Sequence, residues 1–257
     1  MRLTGKPSTI LVTTLAVVWV VPLIILVSRS FGGDGLDNYA VVLGQGGVAL
    51  SLANSGIITL LTVVGVVFIT SLASFAFSRL RFPGRMLLYG VLLTGLMLPA
   101  GAILVPFSQI NKAFGWSNTY AAVVFPYIAL FFPLGLLLLK SAYDALPDEI
   151  FEAVAIDGGS HGRMFWSIGL PLTAPTVGLI ALWTFLSTWN EFLLALLFLH
   201  DPSVQPVSII PLHFQQQYFI DVPKIFAALV LSQIPVVVLY IVAQKRFNVG
   251  LLAGVGK

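Results

Sequence analysis

Charged residues are scarce in this 257-residue sequence, and cysteine is missing from it altogether. Only 9% of the residues are charged, whereas about 25% is usual for a soluble domain, and 58% are hydrophobic. A water-soluble chain of this size could not bury so much apolar surface, so lipid has to be its main solvent. Without cysteine, the chain can form neither disulfides nor thiolate metal sites.

Several functional motifs are also missing. There is no G-x-x-x-x-G-K-[ST] phosphate loop, so the chain is not expected to hydrolyse ATP itself. His161, His200 and His213 lie in separate loops, which argues against a metal site. The basic residues do not cluster as a nucleic-acid surface would require. No spacing pairs a nucleophile with a base, so we expect no catalytic residues.

Six stretches of the sequence are apolar and long enough to cross a membrane, since about 20 such residues suffice for a helical span. The first follows Arg2 and Lys6 and resembles a secretory signal, but it is too long and no small-residue cleavage site follows it, so we expect a retained span. Prolines predict kinks in the third and fourth stretches. The expected spans are residues 9–28, 52–77, 86–107, 119–140, 174–198 and 224–243.

Lysine and arginine in the connecting segments predict the orientation, because short cytoplasmic loops are enriched in these residues. With the N-terminus inside, ten of the 13 basic residues fall on the cytoplasmic side. The three that fall outside are Arg29, Lys112 and Lys224. Both termini of this multi-pass protein are therefore expected in the cytoplasm.

The connection at residues 141–173 is the longest segment expected in the cytoplasm, and it carries five of the ten acidic residues. Pro147 and the acidic pair after it suit the start of a helix that runs through Ile156. The glycine pair beginning at Gly158 would end this helix, and Ser160 would cap a second one. The segment is thus predicted to be a helix–turn–helix. The apolar stripe of its first helix would consist of Ile150, Phe151, Val154 and Ala155.

A set of residues at fixed spacing is the second feature of this loop. Glu152-Ala153-Val154 is followed after three residues by Gly158, and after nine more by Ile168-Gly169-Leu170-Pro171. The pattern resembles the EAA loop in permease subunits of bacterial ATP-binding-cassette (ABC) importers, which reads E-A-A, three residues, G, nine residues, I-x-L-P. Val154 stands where the family usually has its second alanine, and the other fixed positions match.

Other segments resemble the carbohydrate branch of the same family, which includes the maltose permeases. The similarity covers about residues 50–257, while the first span and its outer loop look ordinary. The segments are Asn54-Ser55, Leu98-Pro99, Val105-Pro106-Phe107, Trp189-Asn190-Glu191-Phe192, Ile234-Pro235 and the tail from Gln244 to Lys257.

This resemblance implies a fold, a location and a set of partners. The fold would be the all-α, MetI-like fold of type I importer permeases, with six transmembrane helices forming one domain (residues 1–257) in the bacterial inner membrane. A second homologous permease, two ABC ATPase subunits and an extracytoplasmic solute-binding protein would complete a sugar or oligosaccharide importer. ATP and Mg²⁺ would be bound by the ATPase subunits, and no cofactor by this chain.

The resemblance also implies a role for the loop, which in the family docks as a coupling helix in a groove of the ATPase. Ala153 and Ala155 would allow close approach, Phe151 and Ile156 would anchor in a pocket, and Glu152 would pair with a basic residue of the ATPase. The alternative is a loop that merely folds against the membrane surface. The residues assigned to coupling are Phe151, Glu152, Ala153, Val154, Ala155, Ile156, Asp157, Gly158, Ile168, Leu170 and Pro171.

Polar residues inside the expected spans are candidates for the substrate pathway. Glu191 is the only acidic residue well inside a span, and such a group usually faces a water-filled cavity or a partner. With Trp189 and Asn190 it would offer a sugar hydrogen bonds and an aromatic face in the outer half of the bilayer, but a helix-packing role is an equal alternative. Weaker candidates, because interhelical hydrogen bonds are their commoner use, are Asn54, Gln109 and Gln233.

Three other functions stay open at this stage. The same machinery could import glycerol 3-phosphate or a glycerophosphodiester instead of a sugar. An ion-coupled secondary carrier would need several intramembrane charges as relays, and the sequence offers essentially one, Glu191. An intramembrane enzyme is disfavoured because no catalytic groups are paired.

Overall fold

The computed structural model describes residues 6–45, 47–215 and 220–254, and it is helical through most of them. The only β pairing in these ranges is an isolated antiparallel bridge between Gln215 and Ile220. The α-helices are α1 Lys6–Ser30, α2 Asp37–Gln45, α3 Val48–Arg79, α4 Arg85–Leu93, α5 Ala100–Phe114, α6 Ala121–Asp144, α7 Asp148–Ile156, α8 His161–Arg163, α9 Leu170–Leu172, α10 Ala174–Trp189, α11 Leu193–Phe198 and α12 Val222–Gly254. Short 3₁₀ helices cover Thr94–Met97 and Val207–Phe214, and a π-helical turn covers Met164–Gly169.

Four of these helices are long and apolar enough to cross a membrane. The four segments are Thr13–Ser30, Val48–Arg79, Ala121–Asp144 and Val222–Val242. Two further crossings form if each of two bent helix pairs counts as one span, which gives six. The bent pairs are Arg85–Met97 with Gly101–Phe114, and His161–Leu172 with Ala174–Trp189.

The third expected span, 86–107, is broken where a kink was predicted. Its two helices meet at an angle of 107° between Met97 and Gly101. Pro99 explains the break, because it offers no N–H to a helix and pushes the preceding Leu98 into extended backbone, with φ −79° and ψ 118°. The prolines further along the chain are accommodated inside α5 and α6.

The fifth expected span, 174–198, is also interrupted. Helix α10 ends at Trp189, and a three-residue break separates it from α11. The carboxylate of Glu191 lies in this break and accepts hydrogen bonds from the amides of Leu194, at 3.0 Å, and Ala195, at 3.3 Å. It therefore satisfies the otherwise unpaired donors at the start of α11, which an uninterrupted helix would not leave exposed.

Helix α3 is the centre of the fold and packs against both α6 and α10. Its crossing with α6 is close, since a Cβ at Gly135 would lie only 2.9 Å from Cγ2 of Thr70. Small polar side chains line the buried face of α3 and permit this close approach, as is usual between membrane helices. These buried residues include Ser51, Ser55, Thr59, Thr62, Thr70, Ser71 and Ser74.

Two apolar clusters form at opposite ends of α3. The Asn54-end cluster joins α3 to α6 and to the chain after α10, and it consists of Ile58, Ala122, Val123, Val124, Tyr127, Leu194, Ala195, Phe198, Leu199 and Ile209. The Arg79-end cluster joins α3 to the loop at 141–173, and it consists of Val66, Phe75, Leu139, Tyr143, Phe151, Met164, Phe165 and Ile180. Helix α3 therefore connects two regions of short helices and turns that lie near its two ends.

Candidate functional site

The loop that carries the family motif forms the predicted helix–turn–helix. Helix α7 covers Asp148–Ile156, and Gly158 after it has a φ of +73°, the left-handed conformation that commonly ends a helix. A Cβ at Gly158 would meet nothing within 4 Å, so glycine is needed there for its backbone conformation and not for space. Ser160 then caps the next helix by accepting a hydrogen bond from the amide of Arg163 at 3.3 Å, as predicted.

Helix α7 has one inward and one outward face. Phe151 is only 7% exposed and belongs to the Arg79-end cluster, with its ring centroid 6.5 Å from that of Phe75. Ile156, in contrast, is 86% exposed. The outward face, which we define as the exposed residues of the second half of α7 and its C-cap, consists of Glu152, Ala153, Ala155, Ile156 and Asp157.

This division corrects one expectation about α7. Phe151 cannot anchor the helix in a partner, because its ring is already buried within its own chain. Ile150 and Val154 on the same stripe are half-buried, whereas Ala155, which was expected to allow close approach of a partner, is exposed. Of the two side chains expected to insert into a partner, only Ile156 is available.

The second half of the motif holds the loop against the membrane helices. Ile168 and Leu170 are half-buried against the Arg79-end cluster, and Pro171 is exposed. Gly169 is buried among them, and a Cβ there would lie 2.9 Å from Cε1 of Tyr143. Ile168 and Leu170 therefore pack within this chain, against the same cluster that holds Phe151 of α7.

Asn54, one of the pathway candidates, is committed to packing. It is 1% exposed, and its amide group donates to the carbonyls of Ser203 and Gln205, each at 3.0 Å. Its side-chain oxygen accepts a hydrogen bond from the hydroxyl of Tyr120 at 2.6 Å. Both amide hydrogens are used within the chain. Asn54 therefore packs α3 against a neighbouring segment and offers no free donor to a substrate. Gln109 is exposed on α5 and does not line the pocket described next.

Three of the pathway candidates, Trp189, Asn190 and Gln233, do line one pocket. It has a volume of about 330 Å³ and lies between the end of α10, the 3₁₀ helix Val207–Phe214 and α12. The Gln233 amide donates to Oδ1 of Asn190 at 3.3 Å. Trp189 is buried and its Nε1 donates to the carbonyl of Ser232 at 2.9 Å. Such a volume is at the low end of small-molecule sites, which span roughly 300–1,000 Å³.

Glu191 does not line this pocket. Besides capping α11, its carboxylate accepts a hydrogen bond from the hydroxyl of Tyr127 on α6. Its backbone carbonyl accepts another from Oγ of Ser208 at 2.9 Å. These contacts tie three elements together at the break after α10, and they are the contacts of a packing residue.

Some residues of both regions were missed by reasoning from the sequence. Phe192 and Ser208 line the pocket. Phe192 belongs to the segment quoted for the family resemblance, which could have identified it, whereas nothing in the sequence marks Ser208. Arg79 counted only as a positive charge that set the orientation, but in the structure its guanidinium contacts α7.

Comparison with known proteins agrees with this arrangement. The model of the family described as "Binding-protein-dependent transport system inner membrane component" matches residues 65–251. This range includes the whole loop at 141–173 and every residue that lines the pocket. The chain belongs to this family. Its members are permease subunits of ABC importers, and the ATPase of such an importer is a separate subunit.

Curated family members cover most of the chain. The Trehalose/maltose transport system permease protein MalG of Thermococcus litoralis is 37% identical over 223 residues, which are 85% of this chain and 80% of that protein. The Maltodextrin transport system permease protein MdxG of Bacillus subtilis is 32% identical over an alignment 273 positions long, which covers 98% of this chain and 96% of that protein. The Diacetylchitobiose uptake system permease protein NgcG of Streptomyces coelicolor is 30% identical over 247 residues, 90% and 82%.

A solved structure of the same fold confirms the predicted architecture. It belongs to a bacterial ABC transporter involved in the import of the acidic polysaccharide alginate, and the superposition has a TM-score of 0.81. It covers 96% of this chain and 100% of the other, at 19% sequence identity. This chain is therefore an all-α, multi-pass membrane protein with the fold of ABC importer permeases.

Proposed function

We propose that this permease imports a sugar or oligosaccharide and is coupled to its ATPase through the loop at 141–173. The observation that carries the coupling role is the division of α7: Phe151 fixes the helix to the membrane helices, while Glu152 and Ile156 face away from them. The three relatives above are named for saccharide transport, and none of their names mentions glycerol 3-phosphate or a glycerophosphodiester. Sugar is therefore the better supported cargo.

The chemistry of the outward face defines the partner surface that would fit it. Ile156 offers one large exposed apolar side chain, and Ala153 and Ala155 beside it let another backbone approach closely. Glu152 and Asp157 are exposed at its edges. An apolar pocket rimmed by basic residues would complement this face, because interfaces combine a buried apolar anchor with charges at the rim.

The family supplies the remaining parts of the assembly. We expect a second homologous permease, two ATPase subunits that bind ATP and Mg²⁺, and an extracytoplasmic solute-binding protein. Contact with the ATPase would require α7 to lie in the cytoplasm, and six spans would then put both termini there as well. ATP binding would then favour one of two arrangements of the membrane helices, because the ATPase has different affinities for the two.

The pocket beside α10 suits a sugar in transit. The amides of Asn190 and Gln233 can pair with hydroxyl groups, and Phe192 can contact the apolar face of a sugar ring. An ion-coupled carrier is less well supported, because the carboxylate of Glu191, the one acidic residue well inside an expected span, is held by Tyr127 and by the start of α11. A group engaged in this way is a poor proton relay.

The coupling role is tested by exchanging exposed apolar residues for acidic ones. Ile156→Asp is expected to abolish co-purification of the ATPase with the tagged chain from its native membrane. Leu36→Asp, at a side chain that is 73% exposed in the loop before α2, is the matched control and should leave the complex intact. An Ile156→Asp chain that still recovers the ATPase in full would show that α7 is not the contact.

The proposed orientation is tested by labelling with a membrane-impermeant thiol reagent, which needs no background correction because the chain has no cysteine. In intact cells, His200→Cys should react and Arg81→Cys, in the cytoplasmic connection after α3, should react only after permeabilisation. The reverse pattern would invert the topology. Both side chains are exposed, so accessibility depends on the side of the membrane alone.

The pathway is tested by removing an amide from the pocket. Gln233→Leu should raise the half-saturating sugar concentration for uptake several-fold without changing ATPase recovery, since it removes a hydrogen-bonding group from the wall. Gln109→Leu, at an exposed position outside the pocket, is the control. Equal effects of the two substitutions would contradict a role for this pocket.

A further inference from the structure

Arg79, the last residue of α3, contacts the coupling loop through both terminal nitrogens of its guanidinium group, while its buried Nε has no hydrogen-bond partner among the described residues. Nη1 donates to Oδ1 of Asp148, the first residue of α7. Nη2 donates to the carbonyls of Tyr143 and Leu146, the latter at 2.8 Å. The guanidinium carbon also lies 4.1 Å from the ring centroid of Phe151. One side chain thus reaches the end of α6, the turn after it and two successive turns of α7.

Each of these contacts uses a property that is particular to arginine. The planar fork presents several N–H groups at fixed angles, so it can serve a carboxylate and two carbonyls at once. The carbonyls lie at the C-terminal end of α6, where the helix dipole favours a positive charge. The delocalised cation can also lie over an aromatic ring. A lysine at this position would keep the charge but not the geometry.

Arg79 is mostly buried, and the ion pair that it forms among the described residues is with Asp148. Its side chain is 11% exposed, whereas that of Asp148 is 81% exposed. The nearby carboxylate of Asp144 is instead engaged by Lys140 and by the hydroxyl of Ser78. The cost of burying a guanidinium is therefore offset chiefly by contacts with the loop, which makes the position of α7 and that of Arg79 depend on each other.

The turn of α3 that precedes Arg79 completes the attachment. The ring of Phe75 lies 5.8 Å from that of Tyr143 and 5.4 Å from that of Phe165, measured between centroids. Both halves of the loop thus rest on one turn of α3, and Arg79 adds the directional contacts to this apolar base. Apolar packing can slide or rotate, but hydrogen bonds to a planar group define an orientation. Two of the three hold the end of α6 and the turn after it, and the third holds Asp148 at the start of α7.

We propose that Arg79 is the positioning residue that fixes the orientation of α7 relative to α3, so that a displacement of α7 by the ATPase is passed to α3. This inference rests on the proposed coupling function. Because α3 packs against both α6 and α10, its movement would reach the centre of the membrane domain.

Spin labels test the positioning role on the full chain in lipid nanodiscs. One label is placed at Asp157→Cys, at the end of α7, and the other at Leu60→Cys, an exposed position on α3. Leu60 lies 19 residues before Arg79, about 28 Å along the helix, which suits a dipolar distance measurement. We expect a single narrow distance with Arg79 present and a distribution at least twice as broad with Arg79→Gln.

Two further variants make this result specific. Arg81→Gln removes an exposed positive charge two residues away and should leave the distribution narrow. Arg79→Lys keeps the charge but loses the fork, so it should give an intermediate width, and it can replace Arg79→Gln if that variant does not fold. An Arg79→Gln or Arg79→Lys distribution as narrow as that of the unchanged chain would overturn the proposal.

The affinity of the purified ATPase for these chains separates the proposal from the function on which it rests. In chains without spin labels, whose outward face of α7 is unaltered, Arg79→Gln should lower the affinity at least five-fold. Arg81→Gln should leave the affinity unchanged. Unchanged affinity with Arg79→Gln would overturn the positioning role while leaving the coupling role in place. If the unchanged chain failed to bind the ATPase, the coupling role would be wrong, and the label distances would still decide whether Arg79 orients α7.

Discussion

The two ends of α3 are attached to the rest of the molecule by different chemistry. At one end Asn54 and Ser55 hold the segment that follows α11 through neutral hydrogen bonds to backbone groups, including a 2.8 Å bond from the Val207 amide to the Ser55 hydroxyl. At the other end Arg79 and Phe75 hold the coupling loop through a charge and a set of aromatic contacts. Both attachments join a helix to a segment that is not part of a regular span.

The two attachments differ in how they fix the position and the orientation of the segment that they hold. Buried neutral hydrogen bonds are costly to leave unmade, so they fix one position of a segment. At the Arg79 end, apolar burial and orientation are provided by different groups, since Phe151 supplies buried area and the guanidinium supplies direction. We therefore expect substitutions at the Asn54 end to change stability alone, and those at the Arg79 end to change stability or coupling according to the group removed.

Phe151→Ala is expected to have the largest effect on stability. Removing a buried ring should lower the free energy of unfolding by about 3–5 kcal/mol, because Phe151 packs inside the Arg79-end cluster. Ile156→Ala on the same helix is the control and should change it by less than about 0.5 kcal/mol, since Ile156 is 86% exposed. Denaturant titration in mixed micelles measures both values. Similar losses from the two variants would mean that α7 has no inward face.

Asn54→Asp tests the other end of α3 and is expected to cost about 2–4 kcal/mol. A carboxylate has nearly the shape of the amide but cannot donate, so it would face the carbonyls of Ser203 and Gln205 without a hydrogen bond. Asn190→Asp is the matched control, because Asn190 is exposed and donates only within its own helix, to the carbonyl of Leu186. The change in thermal unfolding temperature measures both. An equally stable Asn54→Asp chain would remove the contrast between the two ends.

Gly135→Ala tests the crossing between the two ends, with an expected loss of about 1–3 kcal/mol. The added methyl group would lie 2.9 Å from Cγ2 of Thr70 and push α6 away from α3. Gly178→Ala on α10 is the control, because a Cβ there meets nothing within 4 Å and alanine favours a helix. The thermal unfolding temperature should therefore fall for Gly135→Ala and stay the same or rise for Gly178→Ala. The opposite order would place the close contact elsewhere.

Features governed by local sequence were predictable, and those governed by tertiary contacts were not. Hydrophobic length placed helices at the expected spans, and Pro147, Gly158 and Ser160 marked the ends of the loop helices through their own backbone preferences. Periodicity placed Phe151 on the apolar stripe and Ile156 off it, but it could not tell which of the two side chains packs inside the chain and which stays exposed for a partner. Counting charges likewise used Arg79 only to predict the orientation in the membrane, and it could not show that the guanidinium contacts the loop.

The two interrupted spans illustrate the same limit. Pro99 was recognised as a disturbance, but whether a proline kinks or breaks a helix depends on what compensates the freed backbone groups, and Pro106 in α5 is accommodated where Pro99 is not. Glu191 was recognised as an unusual charge. Its use as a cap for α11 depends on a break that no local signal marks, and on Tyr127, which is 64 residues away in sequence.

Gly158→Ala is expected to have the smallest effect on stability and a selective effect on coupling. Alanine at a φ of +73° is strained by about 1–2 kcal/mol, and Gly35→Ala, at a φ of +63°, carries the same strain in the loop before α2. Neither methyl group would meet a neighbour within 4 Å, so the two variants should lose equal stability in thermal unfolding. Only Gly158→Ala alters the end of α7, and only it should weaken ATPase binding. Equal binding by both variants would show that the angle at Gly158 does not matter to the partner.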